Sequence, residues 1–186
     1  AIALMAYAVG SISGGHFNPA VTAAFFALKK IDSTTAVKYV LAQLAGGLLA
    51  SLVLAYAFTG TGAPFTNAVP GLGTGVNLVA GILIEAILTF FLVSVILTTA
   101  VFPRENNPLA SLAPLLIGLT ISADILVGGV LTGAAMNPAR AFGPAVVAGH
   151  YTNHIVYWIG PILGALLAVG IFAYWLNEKH APAKKN

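Results

Sequence analysis

Two Asn-Pro-Ala triplets, Asn18-Pro19-Ala20 and Asn137-Pro138-Ala139, combine a helix-start signal with side-chain amide donors. Asn is favoured at an N-cap and Pro at the first helical position, so Asn18/Pro19 and Asn137/Pro138 predict the starts of two helices. Each start presents the positive end of a helix dipole. Two residues after Pro138 stands Arg140, a charge that is costly in lipid and therefore a functional candidate. The plainer role for such an Arg is to snorkel to headgroups. Glu85 lies in the apolar run ILIEAILTFF, where an ionised carboxylate must face the interior and accept from donors such as backbone amides. Asp124 is expected to hydrogen-bond loop backbone, the alternative being a pore-adjacent carboxylate. His16 is the one histidine beside an Asn-Pro motif. His150 and His154 suit an interface, and His180 a tail. None of these has the spacing to acidic partners that a metal site needs, and no cofactor motif is present. A thiol nucleophile and thiolate metal sites are excluded by the absence of cysteine.

The elements that must position these groups follow from composition. Of 186 residues, 59% are hydrophobic and 7% charged, with mean hydropathy +0.94. Soluble domains carry roughly 25% charged residues. A net charge of only +3 offers no nucleic-acid surface. These numbers describe a multi-pass, all-α membrane protein. Ala36–Phe58, Leu78–Phe102, Leu109–Leu131 and Ile155–Leu176 are predicted as full spans. Pro19–Leu28 and Pro138–Ala148 are too short to cross and read as re-entrant half-helices. The chain starts apolar at Ala1–Val9, as if inside a transmembrane helix. Lys29, Lys30, Lys38, Arg104, Lys179, Lys184 and Lys185 all fall on one side of this topology. By the positive-inside rule that side is cytoplasmic, together with the tail at 177–186. Arg140 is the exception.

An inverted repeat underlies the pattern. Ile12–Ala20 aligns with Leu131–Ala139, and Tyr39, Ala42, Gly46 and Ala50 align with Tyr157, Gly160, Gly164 and Ala168. Three full spans separate the two triplets, so one copy is upside down relative to the other. Inverted repeats with broken helices at their interface are a transport architecture. Both dipole ends then converge at the membrane centre, where irregular backbone is tolerated only if buried or lining a wet cavity. Gly14–Phe17 and Gly133–Met136 supply such backbone, with carbonyls that could form a ladder of acceptors. The small residues at every fourth position of the two aligned spans predict close helix packing.

On these residues the chain resembles the major intrinsic protein family, the aquaporins and aquaglyceroporins. HFNPAVT and MNPARAFGPAVV are similar to the family's two signature loops, and the likeness runs over essentially the whole chain. It implies a right-handed helical bundle of six spans and two half-helices, here a single channel domain over 1–186, assembling in the bilayer as a homotetramer. The family's first helix and the start of its second are expected to lie upstream of Ala1. By the same resemblance Arg140 lines the narrowest constriction with Ile125 and Ala134, and the fourth constriction residue falls before Ala1. His16 matches a pore-lining acceptor, and Glu85 a structural brace for a re-entrant loop.

The implied function is passive conduction of water, with small neutral solutes such as ammonia or urea, and exclusion of protons and ions. No enzymatic role is implied. Glycerol-conducting members typically carry an Asp and a basic residue where this chain has Ala141 and Ala145, which favours water. Ile125 with Ala134 is similar to plant vacuolar and nodulin-type members. A coupled secondary transporter would need more intramembrane carboxylates than Glu85 and Asp124. Ser11-Ile12-Ser13-Gly14 approaches an intramembrane serine protease pattern, without a His placed as base. A structural junction protein of the same family is a further alternative.

Overall fold

In the computed structural model, residues 1–61, 64–103 and 108–180 are described. Seven α-helices occupy them: α1 (Ile2–Ser13), α2 (Pro19–Ala27), α3 (Ser33–Ala57), α4 (Leu78–Ile96), α5 (Ala113–Thr132), α6 (Pro138–Ala148) and α7 (Val156–His180). Short 3-10 turns at Phe65–Ala68 and Pro108–Leu112 join them, and a π turn, Leu97–Val101, ends α4.

Local chemistry sets the boundaries. Asn18 caps α2 by accepting from the Ala20 N–H, and Asn137 caps α6 by accepting from Ala139 and Arg140. Asp32 and Asn77 do the same for α3 and α4, through Thr35 and Ala80. At the other ends, α1 and α5 stop at Gly14 and Gly133, both left-handed with φ of 75° and 81°. There glycine lets the chain turn sharply into each re-entrant loop. With nine and eleven residues, α2 and α6 are half-helices. At ~1.5 Å per residue they reach only about half of a ~30 Å hydrocarbon core.

Among the described residues, three helical stretches are long and apolar enough to cross a membrane: Ser33–Ala57, Leu78–Val101 and Ala110–Thr132. The fourth expected span forms as α7, whose described apolar part is the shorter Val156–Phe172. The helix continues to His180, so the expected tail begins as helix; 181–186 and Arg104 lie outside the described residues.

Two close helix approaches hold the bundle. A Cβ on Gly164 would lie 2.0 Å from the Ala86 carbonyl oxygen, and one on Gly160 2.7 Å from the Glu85 Cβ, so α7 lies directly on α4. Likewise α6 lies on α3 where Gly143 meets the Gly47 carbonyl oxygen. Small residues thus let backbones touch where lipid provides no hydrophobic drive. The expectation for α3 needs correcting in one respect. Gly46, the repeat partner of Gly164, has open space where a Cβ would stand, and the neighbouring Gly47 makes the contact instead. Buried Leu92, Val93, Leu97, Ala165 and Ala168 join α4 to α7, and Ala20, Val21 and Ala24 bring α2 into the same core. Leu49, Val53, Leu126, Val127 and Val130 remain outward and exposed, as a lipid-facing surface requires.

Candidate functional site: a pore between two half-helices

The N-termini of α2 and α6 meet. Asn18 accepts from Ala20 through Oδ1 at 2.8 Å, while its Nδ2 donates to the Met136 carbonyl at 2.8 Å. Asn137 mirrors it, with Oδ1 accepting from Ala139 at 3.0 Å and Nδ2 donating to the Phe17 carbonyl at 3.0 Å. Each amide therefore caps its own half-helix and ties it to the opposite loop. Phe17 and Met136 both adopt left-handed backbone, φ 51° and 50°, which non-glycine residues rarely do. Strain of this kind persists where surrounding structure over-determines it, and here the crossed Asn bonds supply that restraint. The Phe17 and Met136 carbonyls each accept one bond in this cross-link and keep a second lone pair as an acceptor. An amide nitrogen carries two hydrogens, and each Asn keeps one beyond the cross-link.

A cavity of about 700 Å³ runs past this junction. Asn18, Asn137, His16, Ile125, Ala134 and Arg140 all line it, so six residues singled out from sequence share one space. Pro19 and Pro138 are buried at the first positions of the half-helices. Arg140 sits on the first turn of α6, and its guanidinium donates to the Ala68 carbonyl at 3.1 Å. The 3-10 turn Phe65–Ala68 thus holds the guanidinium at the cavity that Ile125 and Ala134 also line.

Glu85 braces the second loop. It is fully buried and accepts from Thr132 Oγ1 at 2.7 Å, Ala135 N at 2.9 Å and Met136 N at 2.7 Å. Three donors on one carboxylate offset the cost of burying it. Tyr157 adds a bond from its hydroxyl to the Thr132 carbonyl at 2.8 Å. Asp124 departs from expectation. It is buried, but makes no bond to loop backbone, and its Oδ2 has no partner among the described residues.

The first loop is held differently. His16 Nδ1 lies 3.1 Å from Thr22 Oγ1, which donates to the Asn18 carbonyl at 3.1 Å and accepts from Gln43 Nε2 at 2.9 Å. With the Thr22 hydroxyl hydrogen directed to Asn18, its ring partner is the Nδ1–H tautomer of His16, in which Nε2 is the acceptor. Tyr39 stacks on the ring at 4.6 Å between centroids and donates its hydroxyl to the Ser13 carbonyl. Sequence reasoning passed over Thr22, Gln43 and Thr132. The polar side chains of an otherwise apolar half-helix and span were the available signal.

A second cavity, about 630 Å³, lies along α3 against Ala42, Gly46 and Ala50, and touches Asn137 and Arg140 from the other side. On the loop before α7, His154 Nε2 accepts from the Trp158 indole at 3.1 Å. His154 is half-buried, which holds its imidazole below the ordinary range.

An all-helical bundle with two inverted half-helices capped by Asn is a membrane channel architecture. The chain belongs to the major intrinsic protein family, whose profile matches residues 1–174. It is 46% identical to aquaporin TIP4-4 of Zea mays over 168 residues, covering 90% of this chain and 64% of that protein. It is 45% identical to an Arabidopsis thaliana protein named "Probable aquaporin TIP3-2", covering 89% of this chain and 60% of that protein. The chain thus spans less than two thirds of the length of these two relatives. The crystal structure of an aquaglyceroporin from Plasmodium falciparum superposes with a TM-score of 0.78 at 23% identity, covering 91% of this chain and 76% of that one. That likeness carries the fold. The family is one of membrane channels, not of enzymes.

Proposed function

We propose that the chain forms a passive pore for water that also leaks small neutral solutes such as ammonia or urea, and rejects protons and ions. The observation that carries this reading is the pair of crossed Asn amides beside one cavity. Oriented donors at the pore centre hold water by its oxygen and interrupt a continuous proton wire. The converging dipole ends of α2 and α6, with Arg140, raise the barrier to hydronium and cations. Arg140, Ile125 and Ala134 form the selectivity constriction, with one strong donor against two apolar walls. His16 offers an acceptor on the approach, and Glu85 holds the second loop in register. Ala141 and Ala145 favour water over glycerol. In this reading the channel is a single unit in a bilayer, assembles as a homotetramer and keeps its C-terminal end on the cytoplasmic side.

Stopped-flow light scattering on proteoliposomes tests the proposal. An osmotic step should shrink vesicles bearing the protein well above the lipid rate, and a pH gradient should persist while water flows. Shrinkage at the rate of empty vesicles, or proton flux that rises in step with water flux, overturns it.

A further inference from the structure

We propose that Lys30, held over the ring of Phe102, is a second cation-rejecting station at the opposite end of the pore from Arg140. The inference rests on the pore reading above and adds a specificity-determining residue to it.

The end of α2 places Lys30. After Leu28 the chain turns through Lys29 in a left-handed conformation, φ 56°. The Lys29 N–H then donates to Phe26 O and the Lys30 N–H to Phe25 O, both at 2.9 Å. This pair of bonds is a Schellman closure, normally built with glycine at the left-handed position. Its use with lysine here fixes the direction in which the Lys30 side chain leaves the helix. The Lys30 Nζ lies 4.9 Å from the centroid of the Phe102 ring, within the range of a cation–π contact. Phe102 is itself placed by the π turn Leu97–Val101, where its N–H donates to Leu97 O at 2.8 Å.

Lys30, Thr99, Ala100, Val101 and Pro103 line the same cavity that Arg140, Ile125 and Ala134 line. The half-helix α2 begins at the Asn junction and Lys30 follows its far end, roughly 14 Å away at ~1.5 Å per residue. Arg140 sits on the first turn of the other half-helix, tied to the turn that precedes α4. The two cations therefore stand at different ends. They are the only formally charged side chains among the described residues of the lining, and no carboxylate is among them. A cation entering at the Lys30 end meets a fixed positive charge before it reaches the dipole ends. Lys30 is exposed, and it has no ion-pair partner among the described residues.

The test measures potassium flux and osmotic water flux in proteoliposomes, in the wild-type and Arg140→Val backgrounds. Removing the charge with Lys30→Met or Lys30→Gln should raise the potassium leak about threefold, and inverting it with Lys30→Glu about tenfold. Lys30→Arg, which keeps charge and ring contact, should leak like its parent, and Phe102→Leu should fall between Lys30→Arg and Lys30→Met. The differences should shrink as ionic strength rises, because a mouth charge is screened over ~8 Å at physiological salt. A merely structural role for Lys30 would produce neither the charge order nor the salt dependence. Equal leaks from all variants in both backgrounds, with water flux retained, overturn the assignment and leave the pore reading standing. A wild type that passes no water overturns both.

Discussion

The two re-entrant loops share one set of bonds and differ in another. Tyr39 donates to the Ser13 carbonyl as Tyr157 donates to the Thr132 carbonyl, and the Gly15 and Ala134 N–H groups fold back onto Ser13 and Thr132 hydroxyls. The Asn bonds are exchanged symmetrically between the loops. The supports beyond these differ. Ala135 and Met136 donate their N–H groups to Glu85, whereas the equivalent groups of His16 and Phe17 find no acceptor among the described residues. The first loop is held through side chains instead, by the His16–Thr22–Gln43 chain. Helix contacts diverge in parallel, since Gly164 is pressed on α4 while Gly46 faces open space. The shared bonds hold the two half-helix starts together. The unshared ones let each loop depend on a different neighbour.

The largest effect that would break this comparison comes from the brace. Glu85→Ala leaves three buried donors unsatisfied, at ~1–3 kcal/mol each, and should destabilise the protein by roughly 3–5 kcal/mol. Gln43→Ala removes one bond from the first loop, for about 1 kcal/mol. Thermal unfolding in detergent checks both values. Equal losses would mean that the two loops are supported alike.

Next come the helix contacts. Gly164→Leu drives a side chain into the Ala86 backbone and should cost ~3 kcal/mol or abolish folding. Gly46→Leu enters open space and should stay within about 0.5 kcal/mol. The same unfolding assay decides. A Gly46→Leu variant as damaged as Gly164→Leu would place an unseen tight contact on that face of α3.

The smallest expected effect on stability, and the sharpest on selectivity, concerns the second half alone. Arg140, Ile125 and Ala134 all belong to it. Ile125→His should narrow the Arg140 end and suppress urea flux while sparing water, as read by stopped-flow shrinkage and solute-driven reswelling. An existing urea flux left unchanged would remove Ile125 from the constriction.

Much of this arrangement is legible in the sequence because its signals are local. Asn18-Pro19 and Asn137-Pro138 specify caps and first turns within three residues, and the short apolar runs behind them limit the half-helices. The repeat follows from aligned spacing. Other features depend on what the fold brings together. That Glu85 serves the second loop depends on the register of α4 against α5, some fifty residues apart in sequence. The destination of each Asn Nδ2 depends on the opposite loop. Asp124 reads as a partner for loop backbone, and only the packing of α5 leaves it buried with a bare oxygen. Equivalent small-residue stripes on α3 and α7 cannot reveal that one is covered and the other open. Lys30 and Phe102 carry no motif, and meet only because α2 and α4 end at the same mouth.

The central claim is that water passes through the cavity between the half-helices and not along the second cavity beside α3. The chain has no cysteine, so single introduced thiols report without background. Ile121 lines the cavity between the half-helices and Ala42 lines the other. Osmotic water flux should be blocked by mercury in Ile121→Cys and unaffected in Ala42→Cys and in the wild type. Block of Ala42→Cys with Ile121→Cys unaffected would contradict the account.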